Sequence, residues 1–188
     1  RGLVGGARDA EGVEQLRQTR GAMRVDAALL AALARFNPLA PLHQPHNLAG
    51  VEAAMAAFPQ AVQVACFDTA FHRRHPFVSD AFALPLRLYD EGVRRYGFHG
   101  LSYEYVLRRL RVVAPDVADG RLVIAHLGNG ASMCALREGK SVASTMGFST
   151  LDGLMMGTRP GQLDAGLILY LITVKGYDSA ALADLLYK

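Results

Sequence analysis

From Val25 onward, apolar residues fall at helical spacing. Val25, Leu29, Leu30 and Leu33 stand at i, i+4, i+5 and i+8, and Asp26 supplies an acid for the first turn. Asn37 precedes Pro38 and is pushed out of the α region, so this helix stops near Phe36. A proline-rich loop over 38–46 follows, and Asn47 is expected to cap a second helix that ends near Phe58, before Pro59. Residues 61–67 (AVQVACF) read as a short buried strand. Pro76 and Pro85 argue against one long helix over 79–89. Ser102 is expected to cap a helix reaching about Leu110, with Tyr105, Val106 and Leu110 inward. Residues 122–125 read as a second buried strand feeding the turn Gly128-Asn129-Gly130. Two strands, 131–136 and 141–145, are joined by a short glycine-containing loop over 137–140. After a glycine-rich loop over 153–161, Asp164 caps an apolar helix to about Val174, Gly176 stops it, and Asp178 or Ser179 starts another. The first twenty or so residues show no clear period. Strands alternating with helices indicate the α/β class.

Composition narrows the function classes. With 51% hydrophobic residues, 188 residues can bury a core. The net charge is only +3, and the arginines (Arg73, Arg74, Arg94, Arg95, Arg108, Arg109, Arg111) are spread out, which argues against a nucleic-acid partner. No apolar run approaches the roughly 18–20 residues that span a bilayer, and the polar start does not resemble a signal peptide. A cytoplasmic protein without membrane contact is expected. Cys66 and Cys134 lie in apolar, strand-like runs and read as reduced, buried thiols.

The candidate chemistry has competing readings residue by residue. Gly128-Asn129-Gly130 could gather backbone N–H groups around an anion, yet Asn-Gly is also the commonest hairpin dipeptide. No Walker A loop is present, nor a G-x-G-x-x-G that opens a helix. Asp68, at the end of a strand, could hold Mg²⁺ through water or act as a cap. Arg159, flanked by glycines, is free to reach a phosphate or to form a surface ion pair. His99 could donate to a phosphoryl oxygen or serve a structural bond. His43/His46 and His72/His75 are closely spaced but lack a zinc pattern. The Ser144–Thr150 region offers no nucleophile with an adjacent base.

Taken in order, five motifs resemble the acetate kinase family. They are Leu39-Ala-Pro-Leu-His43, Phe67-Asp-Thr-Ala-Phe-His72, Arg95-Tyr-Gly-Phe-His-Gly100, His126-Leu-Gly-Asn-Gly130, and Met146-Gly-Phe with Gly153-Leu-Met-Met-Gly-Thr-Arg159. The resemblance implies an actin-like (ribonuclease H-like) duplicated α/β fold, incomplete here. It implies a reversible, direct in-line transfer of the ATP γ-phosphate to acetate, with Mg²⁺ or Mn²⁺, in a homodimer. It assigns catalysis to Asp68, His99, Arg159 and His43, and a phosphate loop for ATP to His126, Leu127, Gly128, Asn129 and Gly130. Leu42 and Phe98 resemble the walls of the acyl pocket. Thr150 stands where the family usually has a pocket proline, and Tyr103 where it usually has histidine.

The same resemblance divides the chain into an unmatched remnant (1–24), the end of a first actin-like domain with substrate-side elements (25–120), and the start of a nucleotide-binding second domain (121–188). The family's amino-terminal phosphate motif, its carboxylate-binding arginine segment, its adenosine motifs and its distal magnesium-site glutamate have no counterpart. The chain therefore reads as a middle piece of a family member, or as a sequence with segments closed up near Arg20-Gly21, and as inactive alone. The alternatives are a propionate or butyrate kinase, or a silent truncated paralogue acting as a binding module.

Overall fold

The computed structural model describes residues 22–37 and 44–188. Met23–Arg24 (β1) pairs antiparallel with Val64–Ala65 (β2). Val25 extends β1, its N–H donating to the Gln63 carbonyl at 2.9 Å. Val25 therefore lies outside the helix expected from it. That helix, α1 (Ala27–Ala34), is capped by Asp26, whose carboxylate accepts from Leu29 N at 2.8 Å. The acid expected in the first turn is thus the cap itself.

Helix α2 (Gln44–Ala57) begins ahead of Asn47. Pro45 is acceptable in its first turn, where an N–H would have no helical partner. Gln44 Nε2 also ties α2 to the end of α1, donating to the Leu33 carbonyl at 3.1 Å. The strand expected over 61–67 shrinks to β2, because β1 offers it only two partners. Val62 and Val64 are exposed, and so is Cys66, which corrects the reading of two buried thiols. Pro76 and Pro85 each stand at the cap of a short helix, α3 (Phe77–Asp80) and α4 (Leu86–Asp90). Buried Asp80 holds this region, paired with Arg94 and accepting from the Tyr89 hydroxyl at 2.8 Å.

Helix α5 (Gly100–Val113) and the single turn α6 (Pro115–Ala118) lead into an antiparallel sheet, β3 (Arg121–Leu127), β4 (Ala131–Arg137) and β5 (Lys140–Ser144), ordered β3-β4-β5. Tyr103, Leu107, Ile124, Cys134 and Leu136 form the core between α5 and this sheet, with Phe71 and Leu122 against it. The buried face of α5 is therefore the Tyr103/Leu107 stripe. Tyr105 and Val106, expected inward, are 61% and 37% exposed. The helix starts at Gly100 rather than after Ser102, and the stripe at i, i+4 from Tyr103 meets the strands. Strand β3 buries one face only, with Val123 and Leu127 exposed, as an antiparallel strand allows. Glu138 (φ 52°) and Gly139 (φ 69°) make the left-handed two-residue turn between β4 and β5 that the sequence predicts.

The carboxy-terminal helices also follow their signals. Asp164 caps α7 (Ala165–Thr173), accepting from Gly166 N at 2.6 Å. Gly176 turns at φ 73°, and Asp178 caps α8 (Ser179–Tyr187). No helix among the described residues is long and apolar enough to cross a membrane.

One polar node lies inside this core. The Phe98 carbonyl can only accept, so His72 Nε2 donates to it at 2.9 Å, leaving His72 Nδ1 to accept from the Ser141 hydroxyl at 2.8 Å. His75 Nε2 then donates to the same oxygen at 2.7 Å. Burial pushes both imidazoles down to about 4, with the Arg94 charge adding to the effect on His75. Cys134 Sγ sits 3.2 Å from the Ser141 hydroxyl, and burial raises its thiol to about 11, so it stays protonated.

These shifts predict an acid-sensitive stability. Above the unfolded value of 6.5 both states hold neutral histidines and stability is flat. As pH falls from 6.5 toward 4, the unfolded chain takes up protons that the folded chain refuses, and stability drops. His72 alone contributes a loss of about 3 kcal/mol over that window, at roughly 1.4 kcal/mol per unit. Urea unfolding from pH 8 to 4 should show this decline, and His72→Asn should flatten it. Equal slopes for the two proteins would remove His72 as the cause.

Candidate active site

Asp68 leaves the end of β2 and turns onto the start of α5. Its carboxylate accepts the N–H groups of His99 (2.5 Å) and Leu101 (3.3 Å), and its carbonyl accepts that of Gly100 (3.0 Å). One residue thus satisfies three of the donors that a helix start leaves open. The cap reading of Asp68 is realised, and each carboxylate oxygen keeps a further lone pair. Gly100 allows the approach, because a Cβ there would overlap the Asp68 carbonyl oxygen and come within 2.8 Å of Phe71 Cβ.

His99 occupies the cap position in the left-handed region (φ 59°). Its ring stacks on His126 with centroids 4.0 Å apart and planes 23° apart. His99 Nδ1 lies 2.8 Å from Ser132 Oγ, and His126 Nδ1 lies 3.0 Å from Ser102 Oγ. Burial first, then the neighbouring His126 and Arg159, lower the His99 pKa against the pull of Asp68. The imidazole is therefore neutral near pH 7.

The turn Gly128-Asn129-Gly130 joins β3 to β4, with Leu127 opposite Ala131 and Gly128 N donating to the Gly130 carbonyl at 3.0 Å. Topologically it is a hairpin turn. None of its three residues has positive φ, so the conformational argument for its glycines fails. Space is the reason at Gly130, where a Cβ would stand 2.9 Å from Arg159 Nη2 and 3.2 Å from His99 Nε2. The two side chains converge on the bare backbone of Gly130.

Arg159 is 8% exposed, and its Nη1 donates to the Thr150 carbonyl at 2.8 Å. It is neither a surface ion pair nor a free arm. Its loop is tied to the turn, with Gly157 N donating to the Asn129 carbonyl at 3.1 Å. The loop closes on itself where Gln162 N donates to the Gly153 carbonyl at 2.9 Å.

The structure thus brings together Asp68, His99, His126, Gly130 and Arg159, with Asn129 holding the arginine loop. Leu127 is largely exposed. Phe98 and Thr150 take part through their carbonyls, on His72 and Arg159 respectively. His43 and Leu42 lie outside the described residues. Sequence reading missed Ser132, Ser102 and the Tyr103 hydroxyl. For Ser132 the signal is a serine at an inward position of an apolar strand, which must find a partner when buried.

The arrangement can do one thing well. A buried guanidinium and a neutral imidazole face one point at the mouth of a backbone turn, a setting for an oxyanion with several oxygens.

The acetokinase family matches residues 6–188. Acetate kinase of Methylocella silvestris is 68% identical over 151 residues, covering 80% of this chain and 37% of that protein. Acetate kinase of Nitrobacter hamburgensis is 59% identical over 164 residues, covering 87% and 41%. A propionate kinase from Francisella tularensis superposes with a TM-score of 0.86 at 34% identity, covering 92% of this chain and 45% of that one. Porphyromonas gingivalis acetate kinase gives 0.81 at 38% identity, covering 92% and 44%. The chain has the actin-like α/β fold in part, and spans less than half the length of these relatives.

Two glycines test the architecture in opposite directions. Gly100→Ala should lower unfolding free energy by more than about 2 kcal/mol, since backbone blocks its Cβ. Gly50→Ala, in α2 with nothing within 4 Å, should raise it by about 0.5–1 kcal/mol. Thermal melts of both decide the matter; a Gly100→Ala protein as stable as wild type would deny the close approach.

Proposed function

Because this chain belongs to the acetokinase family, we propose that the protein it represents transfers the γ-phosphate of ATP to acetate, giving acetyl phosphate and ADP. One observation carries the assignment to this site: Arg159 Nη2 and His99 Nε2 converge at Gly130. In the transfer, a carboxylate oxygen of acetate bonds to the γ-phosphorus while the bond from phosphorus to the β–γ bridging oxygen breaks. The nucleophile is ionised at neutral pH, so no general base is required. What the site must supply is charge stabilisation and alignment. Arg159 faces the equatorial oxygens with a planar fork, and His99 adds a neutral donor beside it. Asp68 fixes the backbone of His99. The turn from His126 to Gly130 is the proposed phosphate loop, and His43 a further group near the phosphate. Leu42, Phe98 and Thr150 are proposed to line the acyl pocket.

A divalent ion, Mg²⁺ or Mn²⁺, would neutralise phosphate charge when bound. The described residues hold no group of three or more His, Cys, Asp or Glu that could cage a metal. Asp68, with spare lone pairs, suits an ion held through water and phosphate rather than by protein alone. We further propose that residues 25–120 belong to a first actin-like domain and 121–188 to a second, in a cytoplasmic homodimer.

The full-length protein, given ATP, Mg²⁺ and hydroxylamine, should trap acetyl hydroxamate faster than the propionyl or butyryl products. No product with any of the three acids would sink the reading. Arg159→Ala should lower kcat about 100-fold or more, with the KM for ATP within about threefold. An unchanged kcat would remove Arg159 from the transition state.

A further inference from the structure

We propose that Tyr103 and Ser132 are positioning residues that fix the tautomer of His99, keeping its proton on Nε2, the nitrogen that faces Arg159 across Gly130. The inference rests on the transferase reading and specifies how His99 serves it.

Proton counting carries the proposal. Tyr103 and Ser132 are both completely buried, on α5 and β4. Ser132 Oγ touches two groups, the Tyr103 hydroxyl and His99 Nδ1, the latter at 2.8 Å. Among the described residues the Tyr103 hydroxyl has Ser132 as its partner. A phenol has one proton and must place it somewhere when buried. Suppose the serine donated to the tyrosine. The phenol proton would then have no acceptor, and His99 would have to donate from Nδ1. If Tyr103 and His99 both donated to the serine, its own proton would have no acceptor; in the remaining arrangement every group is satisfied. Tyr103 donates to Ser132 Oγ, Ser132 donates to His99 Nδ1, and His99 is left with Nε2–H. Bulk water does not reach either hydroxyl, since both residues are fully buried.

The ionisation states agree with this direction. Burial raises the Tyr103 phenol to about 12, so its proton is retained. Burial and the neighbouring His126 and Arg159 keep His99 neutral, so it has one N–H and not two.

The consequence lies at Nε2. With Nε2–H, His99 presents a donor toward the space at Gly130. With the other tautomer it would present a lone pair to phosphoryl oxygens and repel them. The backbone cannot supply this choice, because Asp68 positions the His99 N–H and leaves the ring protons unset.

The test is a long-range ¹H–¹⁵N spectrum of the imidazoles in uniformly labelled full-length protein near pH 7.5, with His99 assigned by comparison with His99→Asn. The expected result is protonated Nε2 and unprotonated Nδ1. A protonated Nδ1, or an even mixture, overturns the proposal whatever the activity. In Tyr103→Phe the serine loses the donor that polarises it, so its hold on Nδ1 weakens and a share of the Nδ1–H form should appear. kcat should fall about tenfold, with KM for acetate and ATP within about twofold. Ser132→Ala should do the same, and the wild-type spectrum decides even if neither variant folds. An unaltered tautomer in both variants also overturns the proposal. If Nε2–H is found but no acyl phosphate forms, the transferase reading fails and the tautomer assignment stands.

Discussion

Everything at this site depends on one acidic residue gripping a helix start. Asp68 spends its carbonyl and both carboxylate oxygens on three consecutive N–H groups, those of His99, Gly100 and Leu101. Charge-assisted bonds at the positive end of a helix are among the stronger ones a protein makes. The grip holds His99 in a left-handed conformation that a bulky residue otherwise avoids. It also sets the phase of α5. With Gly100 against Asp68, Tyr103 and Leu107 fall on the sheet, and the core and the imidazole are fixed by one contact.

Two serine-centred networks then run in series beneath the site. In the first, Ser141 accepts from His75 and donates to His72, whose other nitrogen donates to the Phe98 carbonyl. That bond pins the residue just before His99. In the second, Ser132 stands between Tyr103 and His99. Each serine sits on a strand with its hydroxyl buried, 0% and 1% exposed. Each serine hydroxyl meets a histidine Nδ1. Such networks are costly unless complete, so a lost member is felt at the next one. Gly97 marks the closeness of the layers, since a Cβ there would come within 2.5 Å of the His72 ring.

What the sequence revealed, and what it hid, follows the range of the forces involved. Asp164, Asp178 and Gly176 mark helix ends by rules that act over a few residues, and the structure follows them. The turn at Glu138-Gly139 is equally local. The start of α5 is hidden because its acid lies 31 residues earlier, while Ser102 offers a plausible local cap. Its hydroxyl faces His126 instead. The strand expected over 61–67 is short in the structure because strand length is set by the partner, and β1 offers two residues. At Gly128-Asn129-Gly130 the glycines invite a conformational explanation, yet none of the three residues has positive φ. Gly130 is small because two side chains crowd it, which only the folded arrangement reveals. Arg159 was expected to move freely, since nothing nearby in sequence shows that Thr150 holds its guanidinium.

The electrostatics of the site fit a reaction that needs no base. Burial that shields Arg159 from water strengthens its field on an anion, but the same burial would make a second cation beside it expensive. His99 avoids that cost by staying neutral, with burial first and then His126 and Arg159 acting against its protonation. A neutral imidazole can still donate, provided its proton is on the correct nitrogen. For an ionised carboxylate attacking a phosphoryl group, a fixed donor beside one permanent cation is sufficient, and a titrating acid would only add sensitivity to pH. A site built for an alcohol nucleophile would instead need an acceptor aimed at the hydroxyl. Here Nε2 is turned toward the arginine and the bare turn.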